Sequence, residues 1–319
     1  DYSNAATLCN TVIANYGFAL LPDFASVFDQ ANQVNNEVIF AVQYTSDPLT
    51  NGQVDNQGNK LHLYFGMQYD TQPGMQRDVV NGRPFKRLKP TPYLLNTVFA
   101  DRVNDTRYKK TFKDTWLSNK PGSYNTTFDN SKAKVTFKAG DTTIFIPGYE
   151  MPLAERAKKK YQVLVPSLYN FALFPTLKKF FDPLRPDMTY ENGSRDYFVH
   201  RLADTYLMLA EAQFKLGKQA EAVAAINMVR VRAAAKGKED AMKVTTVDMN
   251  LIMEERAREL AGEQTRWMDL KRWNNLVERV KLYNTDGAVG VSDRHYVRPI
   301  PQKQVDLSEN GGFPQNAGY

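Results

Sequence analysis

The sequence is poor in the residues that build metal centres and covalent cross-links. Its 319 residues contain one cysteine, Cys9, and three histidines that lie far apart, His62, His200 and His295. One cysteine excludes an internal disulfide framework and a multi-cysteine metal site. No two histidines have the HExxH spacing of a zinc protease, so we expect neither a metal centre nor a cofactor.

Membrane-spanning runs, nucleotide-binding motifs and the serine hydrolase motif are also missing from the sequence. No apolar run approaches the roughly 18 residues that cross a bilayer, and there is no GxxxxGK, GxGxxG or GxSxG motif. The formal net charge is +6, but the charges are interspersed and the densest basic runs are short, at 158–160 and 178–179. A solvated surface explains such runs better than a nucleic-acid interface.

Helical periodicity is clear at the start of the chain and in its last third. Residues 2–15 place apolar side chains, Cys9 among them, at spacings of three and four, so Cys9 is expected in the core. Residues 198–216 and 219–235 repeat this pattern and predict an antiparallel helical hairpin of the tetratricopeptide type. A single repeat cannot bury its own faces, so partner helices are expected elsewhere, including upstream of the first residue.

Between these helices the chain predicts short strands and long loops. Residues 37–44 are typical of a buried strand, whereas residues 45–90 are dense in Asn, Gln, Gly, Asp and Pro. Within that stretch the apolar residues of 61–65 alternate, which predicts a short strand with His62 and Tyr64 on its other face. Further along, the pattern predicts a short helix at 92–100, a strand at 107–116 and turn-separated β runs at 117–150.

An ion-rich segment is the most suggestive candidate for catalytic chemistry. Paired carboxylates such as Glu259 and Glu263 could serve as a glycosidase acid and base. On one helix over 252–270, however, they share the apolar face with Arg256 and Trp267. Carboxylates neutralised by arginine are poor general acids, so we predict a buried ion network and no catalytic residue. The tryptophans of this segment are expected to be core anchors.

Several segments together resemble the SusD/RagB family. They are RLADTYLMLAEA at 201–212, INMVR at 226–230, ERAREL at 255–260, RWMDLKRW at 266–273, GRP at 82–84, PIP at 299–301 and QNAGY at 315–319. Ala317 stands where the family usually has proline in its closing motif. The resemblance implies a mainly α SusD-like fold, with a tetratricopeptide-type hairpin, long irregular loops and a few short strands.

Family members are normally longer, which implies that this chain is the C-terminal portion of such a protein. On that basis we expect four regions. They are a tail of the N-terminal helical-repeat region at 1–30, a loop-rich ligand-facing region at 31–197, the hairpin and ion-rich helix at 198–282, and a C-terminal extension at 283–319.

The resemblance also implies a function without catalysis. Such proteins bind oligosaccharides or polysaccharides on the outer face of the outer membrane of Bacteroidetes-type bacteria, and pass them to a TonB-dependent, SusC-like β-barrel transporter. Their membrane contact is a lipid anchor upstream of this chain, and no nucleic-acid partner is implied. A peptide-binding member of the family and a helical-repeat adaptor that binds only protein are the alternatives.

A candidate ligand surface lies in the stretch 44–87. Sugar recognition needs aromatic faces for the apolar side of the ring, and planar polar groups for the hydroxyls. The stretch supplies both, just before the GRP turn where the resembled family tends to place ligand aromatics. The predicted ligand-binding residues are Tyr44, Tyr64, Gln68, Tyr69, Asp70 and Arg83. For each aromatic residue, plain packing is the competing interpretation.

Overall fold

Helices form most of the regular structure in the computed structural model, which describes residues 1–52, 58–308 and 313–319. The α-helices are α1 (Tyr2–Asn15), α2 (Leu61–Tyr64), α3 (Arg107–Thr111), α4 (Leu153–Arg156), α5 (Leu202–Lys215), α6 (Gln219–Arg232), α7 (Glu239–Met242), α8 (Met249–Glu259), α9 (Arg266–Arg272), α10 (Leu276–Tyr283), α11 (Thr285–Ala288) and α12 (Gln302–Asp306). Within the described ranges, no helix has the length and apolarity needed to cross a bilayer.

The strands are short and form small separate sheets. They are β1 (Val38–Val42), β2 (Phe112–Lys113), β3 (Thr115–Leu117), β4 (Gly122–Asn125), β5 (Lys134–Phe137), β6 (Thr142–Phe145), β7 (Gln162–Val163), β8 (Thr176–Leu177) and β9 (Tyr197–Arg201). The pairs β1–β9, β2–β8, β3–β6 and β4–β5 are antiparallel, and β7 adds to β6 in parallel. The mainly α fold with few short strands is therefore confirmed.

The predicted helical hairpin is confirmed as α5 and α6. The turn between them passes through Gly217, whose positive φ of 73° suits a residue without a side chain. Ala210 and Ala222 are fully buried between the helices, where small side chains allow close approach. Helices α1 and α8 pack on the same core, and Cys9 of α1 is buried in it as predicted. These two helices supply part of the partner surface that a lone hairpin requires.

The predicted strand at 61–65 is wrong, because residues 61–64 form the single helical turn α2. The side-chain amide oxygen of Asn59 accepts a hydrogen bond from the N–H of Leu61 (3.0 Å), and the carbonyl of Lys60 accepts one from Leu63 (3.0 Å). Because these N–H groups bond to residues just before them, they cannot pair with a neighbouring strand. His62 is buried, and burial, aided by the charges of nearby arginines, lowers its pKa to about 3.

Three other predicted elements also differ from the structure. The strand expected at 107–116 is wrong over its first half, which is α3, while β2 and β3 follow it. The Asp105 carboxylate accepts a hydrogen bond from the N–H of Arg107 (2.8 Å), and this bond stabilises the helical start. The helix expected at 198–216 begins only at Leu202, because the residues before it pair with β1. The helix expected at 92–100 is a wider π-helical turn over Leu94–Val98.

Candidate ligand-binding site

Tyr64 is the predicted ligand residue that the structure places best. It ends α2, and its carbonyl accepts hydrogen bonds from the N–H groups of Arg87 (2.9 Å) and Leu88 (3.0 Å). These bonds fold the segment after the GRP turn back against α2. The half-buried Tyr64 ring then lies beside Phe85, with 6.2 Å between the ring centroids. The guanidinium of Arg83 lies 5.3 Å from the Phe85 centroid, so Phe85 joins two predicted residues into one surface.

Tyr69 is a correction to the predicted site. Its side chain is 0% exposed, and its ring stacks on Trp116 with a centroid distance of 4.6 Å. Its hydroxyl donates a hydrogen bond to the carbonyl of Gly82 (2.6 Å). The packing interpretation is therefore correct for Tyr69, whose ring has no free face to offer a sugar. Burial raises the pKa of the hydroxyl above its ordinary value, which keeps it a donor at neutral pH.

The remaining predicted residues already have protein partners. The Gln68 amide oxygen accepts from Lys86 (2.7 Å), and an Asp70 carboxylate oxygen accepts from Arg77 (2.5 Å). Arg83 is exposed and donates to Glu191 (2.6 Å), an ion pair that a ligand could replace or extend. Tyr44 follows β1 and is half-buried, with its backbone N–H donating to Asp196 (3.0 Å). Residues 53–57 of the predicted stretch lie outside the described residues.

A large cleft opens beside Tyr64 and extends the predicted surface. Its volume is about 1170 Å³, which suits several sugar rings. Its lining includes Tyr64, Phe65 and residues of the segment 87–94, together with the end of α8 and α9. Residues of α10 and α11, with His295 and Arg298, complete the lining. The cleft thus joins the predicted ligand stretch to the C-terminal helices.

Four aromatic side chains of this cleft were not predicted as ligand residues: Phe65, Tyr93, Phe112 and Trp267. Trp267 is half-buried on the cleft wall, so the expectation that it anchors the core is wrong in part. Tyr93 also lines the cleft, and its ring stacks on Tyr283 with a centroid distance of 3.8 Å. Tyr64 and Trp267 lie two hundred residues apart, so no local pattern could place them in one cleft. In the sequence, the available signal for Trp267 was its position in the RWMDL motif at 266–270.

The predicted ion network is confirmed, although not on one helix. Helix α8 ends at Glu259, and the chain turns through Gly262 (φ 82°) before α9 begins at Arg266. Glu259 is fully buried and accepts from Arg107 (2.9 Å), Arg201 (2.7 Å) and Arg232 (2.5 Å). These arginines come from α3, β9 and α6, so the network connects separate parts of the fold.

The network sets the protonation state of its carboxylates. Burial by itself would raise the pKa of Glu255, but Arg107, Arg258 and Arg230 outweigh it and lower the pKa from 4.5 to about 2. The pKa of Glu259 is lowered further, since Arg232, Arg201 and Arg107 outweigh its burial. A carboxyl group that stays ionised at neutral pH cannot donate a proton to a leaving group. Nor does either side chain line the cleft.

Acid should weaken this protein through Glu255. Because its pKa is lower in the folded chain than in the unfolded chain, its stabilisation is complete above about pH 4.5 and is lost as the pH falls towards 2. A shift of that size corresponds to about 3 kcal/mol of unfolding free energy. Urea unfolding at a series of pH values should show this loss below about pH 4.5, with a flatter profile for Glu255→Gln. A parent whose stability does not fall on acidification would contradict the assignment.

No metal site emerges from the described part of the chain. Within residues 1–52, 58–308 and 313–319, no three His, Cys, Asp or Glu side chains are grouped so that they could hold a metal ion. The chemistry of the cleft is thus that of aromatic faces, guanidinium groups and hydrogen-bonding side chains. Such a set can bind and orient a polar ring compound.

Comparison with known proteins identifies the family. The model of the SusD family matches residues 36–319, so the chain belongs to the SusD family, whose members include glycan-binding proteins. A SusD-like protein of Formosa agariphila is 26% identical over 310 residues, which cover 94% of this chain and 52% of that relative. The chain therefore spans about half the length of this curated relative.

Solved structures share the fold over essentially the whole chain. A laminarin binding SusD-like protein superposes with a TM-score of 0.65 at 21% identity, covering 100% of this chain and 59% of that one. Surface glycan-binding protein A from Bacteroides thetaiotaomicron, in complex with laminarihexaose, gives a TM-score of 0.56 at 19% identity. That match covers 99% of this chain and 59% of the other. At these identities the likeness establishes the fold.

Proposed function

We propose that the protein binds oligosaccharide or polysaccharide at the bacterial cell surface, without cleaving it, for uptake through a partner TonB-dependent, SusC-like transporter. In this proposal the protein is held on the extracellular face of the outer membrane by a lipid anchor. The observation that carries the proposal is the cleft of about 1170 Å³ lined by Tyr64, Tyr93 and Trp267, in a chain of the SusD family. Two structural neighbours that bind laminarin or laminarihexaose make a glycan the first ligand class to test.

The chemistry of the cleft supports sugar binding. A sugar ring presents a face of C–H groups that stacks on an aromatic ring, and an edge of hydroxyls that needs hydrogen bonds. Tyr64 and Trp267 both supply aromatic surface to the cleft. Beyond Tyr64, the surface continues over Phe85 to Arg83, whose exposed guanidinium can donate to hydroxyls. An extended ligand could therefore lie in the cleft and reach the predicted stretch.

The absence of cleavage in this proposal rests on the carboxylates. Glu255 and Glu259 are fully buried, each is bound by arginines, and both have pKa values below the ordinary range. Neither can act as a general acid at neutral pH. Incubation with a bound oligosaccharide should release no new reducing ends. Release that disappears in Glu259→Gln, with the fold intact, would establish the opposite.

Removing an aromatic face of the cleft should weaken glycan binding. We expect Tyr64→Ala and Trp267→Ala each to lose about 1–3 kcal/mol of binding free energy, roughly a ten- to hundredfold rise in Kd. Stacking on a sugar is lost in both variants, while Tyr64 and Trp267 are only half-buried, so the fold should survive. Affinity electrophoresis or calorimetry against laminarin and a panel of other polysaccharides measures the change.

Tyr149→Ala is the matched control for these variants. Tyr149 is 59% exposed and lies outside the residues that line the cleft, so its removal should leave the Kd unchanged. Equal losses in all three variants would show that the cleft is not the binding site. Binding of a peptide or protein partner, with no glycan retained by the parent, would favour a peptide-binding member of the family or an adaptor.

A further inference from the structure

The cleft carries more positive than negative charge. Its lining includes five side chains that are cationic at neutral pH and two that are anionic. The cationic residues are Arg87, Lys89, Arg256, Arg266 and Arg298, and the anionic residues are Asp269 and Asp286. The lining therefore has a formal charge of 5 − 2 = +3, with His295 taken as neutral.

The two carboxylates of the cleft are already neutralised. Asp286 pairs with Lys89 (2.9 Å), and Asp269 pairs with Arg256 (2.8 Å). Arg256 also binds Asp204, behind the cleft wall (2.6 Å). These salt bridges neutralise both anions and two of the five cations. The excess positive charge therefore belongs to the other three arginines.

Those three arginines form no salt bridge within the described residues, although the charge of Asp269 acts on Arg266. The Arg266 guanidinium donates only to the backbone carbonyl of Met253 (2.9 Å), and burial lowers its pKa below the ordinary value. The Arg298 guanidinium lies 5.7 Å from the centroid of the Trp267 ring, and no hydrogen bond from it or from the exposed Arg87 side chain occurs in the described chain. Arg87 and Arg298 are exposed and Arg266 is half-buried, so all three guanidinium groups can form charge-assisted hydrogen bonds with an anionic ligand in the cleft.

The geometry points to an acidic glycan, carboxylated or sulfated, as the ligand of this cleft, an inference that rests on the proposed function. A guanidinium matches the planar oxygens of a carboxylate and the oxygens of a sulfate with two parallel hydrogen bonds. A cleft with low-dielectric walls concentrates the field of its charges on whatever occupies it. Trp267, below Arg298, places an aromatic face next to a cation, which suits a sugar ring that carries its charge on one substituent. A neutral glycan would leave all three arginines without a salt bridge.

Matched pairs of oligosaccharides test this assignment. One pair is an oligogalacturonate and its carboxyl-reduced, neutral form, and the other is a sulfated galactan oligosaccharide and its desulfated form. Calorimetry on the protein should show at least about tenfold tighter binding to an acidic member than to its neutral twin at low salt. That preference should fall steeply as NaCl rises from about 50 to about 500 mM, because added ions screen charges near the surface. The pair with the larger preference distinguishes carboxylate from sulfate recognition.

Variants that each remove one positive charge show which arginines bind the acidic group of the oligosaccharide. Arg87→Gln and Arg298→Gln should each weaken binding of the acidic oligosaccharide about tenfold and leave binding of its neutral twin within error. Arg294→Gln is the control, since Arg294 is exposed, contacts the carbonyl of Gly318 and the ring of Tyr319, and does not line the cleft. Glycan binding that shows no preference for acidic members would overturn this inference and leave the proposed function standing. Binding of no oligosaccharide, acidic or neutral, would overturn both.

Discussion

Replacing Glu259 by alanine should lower the free energy of unfolding by about 3–5 kcal/mol, because it leaves buried charges without a partner. The Glu259 carboxylate is fully buried and binds the guanidinium groups of Arg107, Arg201 and Arg232. Alanine removes the anion and keeps all three cations in a site from which water is excluded. Urea unfolding followed by circular dichroism measures the loss. Arg256→Ala should have a similar effect, since it leaves the buried Asp204 carboxylate without its arginine and leaves Asp269 with Arg272 alone.

An exposed ion pair of the same chain provides the control. The Asp240 side chain is 93% exposed and pairs with Lys243 (2.7 Å), so solvent screens the pair. Asp240→Ala should leave the Tm within error of the parent. Should Glu259→Ala also melt like the parent, water must reach the Glu259 site, and the network would not hold the fold together.

The network explains why distant segments of the chain meet. Arg201 binds Glu37 (2.8 Å), Glu259 (2.7 Å) and Glu263 at once, so it joins the start of β1, the end of α8 and the turn after it. Lys179 adds a second contact to Glu263 (2.8 Å) from the loop region. Buried ion pairs are not strongly stabilising in themselves, but each tolerates little displacement. They therefore fix how the loop-rich region sits on the helices, and through it the shape of the cleft.

The sequence predicted the three longest helices well because their signal is local. The apolar spacing of α1, α5 and α6 is set by residues three and four apart, and the observed helices follow it. The prediction failed at α2, where five alternating residues fit a strand as well as a helical turn. The deciding contacts there are the hydrogen bonds from Leu61 and Leu63 to the preceding residues. Such capping bonds leave only a weak trace in the sequence.

The break between α8 and α9 shows a different limit. Apolar and charged residues recur at helical spacing through 252–270, and that periodicity predicted one helix. The chain turns at Gly262 and Gln264, both with positive φ, so the residues beyond belong to another helix. Gly262 was the available signal, because glycine is favoured where a helix ends in this conformation. The buried network was still predicted correctly, since arginine and glutamate on an apolar face must pair wherever the helix ends.

The candidate site was predicted only in part, for a physical reason. A polar, aromatic loop can be found from composition, which led to the stretch 44–87. Which of its tyrosines face solvent depends on contacts with distant residues, such as Trp116 under Tyr69 and the segment 87–88 against Tyr64. The cleft depends on contacts more distant still. Tertiary packing therefore decides the roles of residues that look alike in the sequence.

That difference between two tyrosines leads to the second large effect. Tyr69→Ala should lower the free energy of unfolding by about 3–5 kcal/mol, as expected for truncating a large, fully buried aromatic side chain. The variant opens a cavity beside Trp116 and leaves the carbonyl of Gly82 without its donor. Thermal and urea unfolding measure the loss. A titration with glycan should show that the folded fraction still binds with the Kd of the parent.

Two variants separate packing from hydrogen bonding and from ligand contact. Tyr69→Phe keeps the ring on Trp116 and removes only the hydroxyl, so it should lose about 1–3 kcal/mol, the cost of an unsatisfied buried carbonyl. Tyr64→Ala should show the opposite pattern, with a weaker glycan affinity and a stability close to that of the parent. Its ring is half-buried at the edge of the cleft, where it contacts Phe85 and solvent. If Tyr69→Ala instead melts like the parent and loses glycan binding, the Tyr69 ring must leave Trp116 when ligand binds, and the predicted stretch would regain its third tyrosine.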